Sequence, residues 1–370
     1  MIHSPNCCNT SDRSVGGEMG IQHEHDGYRL IDLVVADDDK RSTRAFCEAL
    51  GEVAETSVDT AESIQVQAFA ANTIRRHARP DLWGRLSAPI RTGRLRLANC
   101  LSEANSGSDL AAIELAAVAG DDGYVLTGTK TWVAHGPDAD ELIVYARTGV
   151  PGLGGITAFL VDAHSPGVIA GPTREHLAGL AIPVSEVTFD RVVVPTERIL
   201  GRVNRGARVA DILLTQGRIG LAACALGLGR AALDEATRFA KAHHRFGHPL
   251  IEHQGVGFKL ADIATRLEAG RQLLHHACDR FDENPDSAVL VCAQAKLFAT
   301  DTAMAATTDA VQVLGASAYL AGNRAEERMR QAKILQILQG TNEIQRRTIA
   351  ASLVPAAPRP APAMTAAAIG

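Results

Sequence analysis

Between about Leu95 and Leu200 the chain holds a series of short strand-like segments with no helix-length stretch among them, and this feature constrains the fold most. "IELAAVAGDDGYVLTGTKTWVAHG" places a turn at Gly120 to Gly123 between alternating runs, and "ELIVYA", "ITAFLVDA" and "SEVTFDRVVVP" follow, joined by Gly, Asp and Pro. A parallel βαβ crossover needs about a dozen residues or more, usually a helix. An antiparallel β-domain is therefore predicted.

The flanks are helical. From Asp37 to about Ser87, "TRAFCEALGEVAET" and "AESIQVQAFAANTIRRHA" show apolar residues at intervals of three and four, which predicts short helices. From Gly206 to Leu353 the helices are long: Val256, Leu260, Ile263, Leu267 and Leu274 form one stripe, the seam of a bundle. "GLAACALGLGRAAL" is dense in Gly and Ala, which permits close helix approach. The fold class is α+β multidomain: leader plus N-terminal helical domain at 1–94, middle antiparallel β-domain at 95–200, C-terminal four-helix-type bundle at 201–354, and a disordered Pro/Ala tail at 355–370.

At 370 residues, 46% hydrophobic and 21% charged, the chain can bury a sizeable core. A net charge of -5 with 4% aromatics leaves no basic field for nucleic acid or an anionic membrane. No apolar run approaches the ~20 residues of a membrane span, and the N-terminus lacks the basic start of a signal peptide, so a cytoplasmic protein is expected. Seven scattered cysteines predict reduced thiols, and Cys7, Cys8, His23 and His25 match no structural zinc spacing, so no metal is expected.

Several motifs carry chemistry beside a bland reading. Gly227, Gly229 and Ala232 match a dinucleotide fingerprint, yet the residues before them continue a helix where the fingerprint needs a strand, so helix packing is favoured. "NSGSDL", with Ser106, Ser108 and Asp109, is either a turn or a cradle for a phosphate or carbonyl. Trp132 in "GTKTWVAHG" either fills a core or walls off a flat ring. "AHHRFGHPLIEHQ" is either a solvated loop or an anion site built on Arg245. "KILQILQGTNEIQRR" reads as two short helices hinged at Gly340, with Gln339 at the hinge.

Taken in order, "CLSEANSGSD", "VLTGTKTWVAHGPDADELIVYART", "FDRVVVPTERILG", "RFGHPLIEHQGVGFKLADI", "QVLGASAYL" and "RMRQAKILQILQGTNEIQR" resemble the acyl-CoA dehydrogenase family over about Glu48 to Ala351. The resemblance implies the fold of that family and FAD as cofactor. It implies that Ser102 contacts the flavin ring, Trp132 packs on it, Ala134 replaces a flavin-binding threonine, and Ser108 lines the channel for the carrier arm. Arg245, His253, Gln254, the segment Gln312 to Ala316 with Gly315, and Thr341 to Glu343 stand where a neighbouring subunit grips the pyrophosphate and adenosine. A homodimer or homotetramer is implied, with an acyl thioester on CoA or an acyl-carrier protein as substrate and an electron-transfer flavoprotein or other acceptor as partner.

The sequence departs from the family at its base. Gln339 stands where the catalytic glutamate precedes "GT", and an amide cannot accept the α-proton, although its backbone amide can still clamp a thioester carbonyl beside Gly340. The alternative base site, just before an arginine on the first bundle helix, is Gly217 before Arg218. Asp211 and Glu343 are the nearest acids the sequence offers. These departures predict CH–CH or CH–OH oxidation of a small acyl thioester, with a flavin oxidase or monooxygenase, or a non-catalytic flavin- or carrier-binding protein, as the competing readings.

Overall fold

The computed structural model describes residues 29–36, 41–179, 182–320 and 322–354. The leader with Cys7, Cys8, His23 and His25, and the tail from 355, lie outside the described residues. The N-terminal region is α1 (29–35), α2 (Thr43–Thr56), α3 (Val58–His77) and α4 (Pro80–Arg91). Ser42 and Ser57 cap α2 and α3 by accepting from the amides of Ala45 and Thr60, which satisfies helix-start donors that would otherwise lack partners. α3 is longer than its predicted short helix and is buried along most of its length.

The middle region is a sheet of β1 (Leu97–Cys100), β2 (Ala116–Gly120), β3 (Gly123–Ala134), β4 (Glu141–Arg147), β5 (Ile156–Asp162), β6 (Val168–Ala170), β7 (Val184–Val194) and β8 (Ile199–Leu200). Strand order is β6-β7-β3-β2-β4-β5-β8, with β1 on β4. The predicted antiparallel pattern needs one correction: β1 runs parallel to β4 from Leu97↔Glu141 to Cys100↔Val144, and β2 meets β4 parallel at Ala116↔Arg147. The β2–β3 hairpin lies between β1 and β4, so the chain returns in the original direction without a crossover helix.

The C-terminal region is α5 (Gly206–Ala242), the hairpin β9 (His244–Arg245) and β10 (His248–Pro249), α6 (Gln254–Glu283), α7 (Val289–Leu314), α8 (Arg324–Leu335) and α9 (Asn342–Leu353). α5 and the stretch 289–319 are long and apolar enough to cross a membrane, contrary to the sequence reading, but most of the α5 window is buried inside the protein, as in a core helix. Close approach explains its glycines: a Cβ at Gly227 would lie 2.1 Å from the carbonyl oxygen of Gly51 on α2. That contact makes helix packing, not dinucleotide binding, the role of the "LGLGRA" glycines.

One hydrophobic core runs from α1–α4 through α5 to α7 and includes Leu97, Tyr145 and Leu160 of the sheet. A second lies within the sheet around Leu126, Val144, Phe159 and Phe189. A third joins Ala236 and Leu260 to Val313 and Leu314, with Leu250, Ile251 and Val256, which follow the β9–β10 hairpin, packed against it.

Candidate functional site

The hinge between α8 and α9 is held by side chains from α7. Lys296 is fully buried, and its Nζ donates to the carbonyls of Gln336 and Gly340, each at 3.1 Å, and to Asn342 Oδ1 at 2.7 Å. Asp301 Oδ1 accepts from Gln336 Nε2 and Asn342 Nδ2, both at 2.7 Å. Burial lowers the Lys296 pKa to about 7, with Arg218 pushing the same way and Asp301 opposing. Within this frame Gln339 and Gly340 have φ of 53° and 86°. A left-handed glutamine is strained, and it is held only because both sides of the turn are pinned.

Gln339 and Gly217, the two positions where the family resemblance implies a base, meet in space. A Cβ at Gly217 would lie 2.5 Å from Gln339 Oε1, so the amide side chain occupies the room that the glycine leaves. Neither position carries a carboxylate. The two acids proposed from sequence do not replace it: Glu343 is 80% exposed and faces Arg346, while Asp211 is an exposed residue about 10 Å along α5 from Arg218. Glu343 falls on an outer face, whereas Asp211 shares the Arg218 stripe of α5, where burial raises its pKa and Arg218 lowers it. Arg218 is half-buried, and its Nε and Nη1 have no hydrogen-bond partner among the described residues. Burial lowers its pKa, a charge held largely away from water beside the hinge.

A second wall comes from β3. The bland expectation for Trp132 fails: its indole is 63% exposed, and its φ is 57°, because a register shift between Lys130 and Val133 turns it out of the sheet. Arg174 lies over the indole, 5.4 Å from its centroid. Thr131 N donates to Ser102 O at 2.9 Å, which sets Ser102 beside Trp132, and half-buried Ala134 ends the same strand. Buried Lys130 anchors this corner by donating to Glu103 Oε1 at 2.7 Å and Leu101 O at 3.0 Å. The "NSGSDL" loop leaves Ser108 exposed, while Ser106 is buried with an unpartnered hydroxyl.

The remaining candidates gather at the far end of α7. Gln312, Gly315, Ala316 and Tyr319 line an open cavity of about 610 Å³. Leu250 and Ile251, which follow the β9–β10 hairpin, pack on the cluster at this end, and the hairpin holds Arg245 exposed, with no acidic partner among the described residues. Its tip, Phe246, is 95% exposed, His253 Nε2 lies 3.0 Å from Arg245 O, and Gln254 begins α6. Thr341, which caps α9, and Glu343 are not in this group, since Lys296 and Gln312 lie about 24 Å apart along α7. The structure therefore brings Arg245, His253, Gln254, Gln312, Gly315 and Ala316 to one end of the bundle, and Gln339, Gly340, Thr341, Glu343 and Arg218 to the other.

These surfaces fit FAD. An exposed indole with Ser102 beside it suits a flat ring, and an open cavity next to an unpaired arginine suits an adenosine with its pyrophosphate. Sequence reasoning missed Glu62 on α3, a buried carboxyl with its pKa raised to about 7, chiefly by burial. Its only sequence signal is a charge inside an otherwise apolar helical pattern.

Comparison with known proteins agrees. Residues 98–192 match the acyl-CoA dehydrogenase middle domain and 204–354 the acyl-CoA dehydrogenase C-terminal domain. An acyl-CoA dehydrogenase of Bacillus subtilis is 39% identical over 69% of this chain and 67% of its own length. Butyryl-CoA dehydrogenase of Megasphaera elsdenii superposes with a TM-score of 0.83 at 29% identity, over 94% of this chain and 100% of the other. A chain from a study of the electron transferring flavoprotein of Acidaminococcus fermentans reaches 0.86 at 31%, over 92% and 90%. With two domain models, a shared fold and this level of identity, the chain belongs to the acyl-CoA dehydrogenase family.

Proposed function

We propose that this protein is an FAD-dependent oxidoreductase that oxidises a short acyl thioester whose acyl group bears a hydroxyl, without a base at residue 339. FAD is the cofactor of the family, and when bound it supplies a two-electron hydride acceptor. Trp132 and Ser102 would face its ring, and Gln312, Gly315, Ala316 and Arg245 would serve its adenosine and pyrophosphate across a subunit interface, with Thr341 and Glu343 acting from the hinge end. The backbone amide of Gln339, fixed by the Lys296 network, is free to polarise the thioester carbonyl. Arg218 adds positive charge behind it.

The observation that carries the reading is the meeting of Gln339 with Gly217: both base positions have lost their carboxylate while the hinge around them is intact. A saturated acyl group must lose an α-proton from carbon, whereas an alcohol loses a more acidic hydroxyl proton. The finer reading places the thioester on an acyl-carrier protein and passes electrons to an electron-transfer flavoprotein. Anaerobic mixing of the FAD-loaded protein with butyryl-CoA, 2-hydroxybutyryl-CoA and the same groups on an acyl-carrier protein tests this. Faster flavin bleaching by the hydroxyacyl thioesters is expected, and no bleaching by any of them would refute the reading.

A further inference from the structure

Two buried acceptors on α3 lack a donor. Glu62 is 3% exposed, and its Oε2 accepts from Gln65 Nε2 at 2.7 Å. Among the described residues Glu62 Oε1 and Gln65 Oε1 have no hydrogen-bond partner, and the Cys224 thiol of α5 also faces the Glu62 carboxyl. Buried oxygens without donors are rare and costly, so two on one turn of a core helix mark a place to which something brings a hydrogen.

Their position is set by α5. A Cβ at Gly220 would lie 2.1 Å from Gln65 Oε1, just as one at Gly217 would meet Gln339 Oε1 at 2.5 Å. The two glycines are three residues apart, so they share a face about 4.5 Å apart along the axis. Gln339, Gln65 and Glu62 therefore follow one another along this face. On the other side Ser63 Oγ lies 3.1 Å from Nε2 of His135, three residues after Trp132. Glu62 thus lies beyond Gln65 from the hinge, and its neighbour Ser63 reaches the turn that follows the wall assigned to the flavin.

We infer that Glu62 is the proton acceptor of this enzyme and takes its proton from a hydroxyl on the acyl group, a role that rests on the hydroxyacyl reading above. The substrate O–H bond breaks and its proton passes to Glu62 Oε1. The neighbouring C–H bond breaks with its electron pair leaving as hydride to the bound FAD, and the C–O bond becomes C=O. Gln65 is a positioning residue that holds Oε2 and leaves Oε1 to receive the proton.

The test uses the FAD-loaded protein and 2-hydroxybutyryl-CoA. Wild-type flavin reduction should rise with pH through about 7, where burial and Asp59 hold the Glu62 carboxyl up against Gln65, Cys224 and Lys296, which lower it. Glu62→Gln, close in shape, should keep FAD but slow reduction ~10²–10⁴-fold and flatten the pH profile, and Glu62→Asp should restore part of both. Infrared titration should show a buried carboxyl band in the wild type that Glu62→Gln removes. Wild-type bleaching with an unchanged rate in Glu62→Gln, an unchanged pH profile, or no such band overturns the role of Glu62 alone. A wild type silent towards every thioester overturns the hydroxyacyl reading itself, and the role of Glu62 with it.

Discussion

The two ends of α7 are built in opposite ways. At its start Lys296, Thr300 and Asp301 turn inward and satisfy the hinge: Thr300 Oγ1 lies 3.1 Å from Asn342 Oδ1, and Arg346 bridges to Asp301 Oδ2 at 2.8 Å. At its end Gln312, Gly315, Ala316 and Tyr319 face a cavity with the bare Arg245 hairpin beside it. The first end is completed by the chain itself, and the second presents its polar groups around an open cavity. The hinge is therefore pinned by side chains of α7 on both sides of residue 339, whereas the open end contributes little to stability.

Removing Lys296 should produce the largest effect. Lys296→Met keeps the aliphatic volume but removes a charged donor from the carbonyls of Gln336 and Gly340 and from Oδ1 of Asn342, leaving them only Asn342 N, Gln345 Nε2 and Thr300 Oγ1, and should cost roughly 2–4 kcal/mol in denaturant unfolding. A loss below about 1 kcal/mol would show that the hinge stands on something else.

The same lysine gives a pH signature. Its folded pKa of about 7 lies below the 10.5 of an unfolded chain, so the unfolded state binds more protons in that window and stability rises with pH there. Glu62 acts in the other direction: raised from 4.5 to about 7, it makes stability fall as pH climbs through that range. Unfolding measured across pH should therefore show a minimum near neutrality. Lys296→Met should remove its alkaline arm and Glu62→Gln its acid arm, and a profile unchanged by either substitution would refute the assignment.

Much of the closed end was legible from sequence and little of what surrounds it. Gly340 after a periodic helix announced the hinge, and the Gly/Ala density of α5 announced close packing. Glu62 was not legible, because what buries α3 is remote in sequence: Asn72 Nδ2 donates to Gln216 Oε1 at 2.9 Å across 144 residues, and Gly220 accommodates Gln65 from α5. Trp132 left two readings open for a local reason, since alternation places it in a strand but cannot foresee the register shift that turns it outward. For Asp211 and Glu343 a periodic pattern fixes spacing along a helix and not which face meets a neighbour.

A smaller effect sharpens the claim that the hinge does not lean on residue 339. In Gly217→Ala the new methyl would press on the far end of the Gln339 side chain, which can swing away, so a cost of about 1 kcal/mol is expected. Gly220→Ala is the internal control: its methyl would also lie 2.6 Å from the Phe69 ring, which is wedged in the core, and about 2–3 kcal/mol is expected. Equal costs in the two variants would mean that Gln339 is as tightly held as the core ring, and the hinge would then depend on it.

The smallest change in stability belongs to the open end. Arg245 is exposed, and its Nη1 donates to the carbonyl of the neighbouring His244, so Arg245→Ala should alter unfolding by no more than about 0.5 kcal/mol. Its effect should appear in the cofactor. A guanidinium paired with no carboxylate among the described residues is suited to a pyrophosphate, and losing that charge-assisted contact should lower the FAD-to-protein ratio read from the absorbance spectrum. An Arg245→Ala protein that unfolds normally yet purifies with less flavin would separate the roles of the two ends. Full FAD occupancy in that variant would remove the hairpin from the cofactor site and leave the cavity beside Gln312 to hold the adenosine alone.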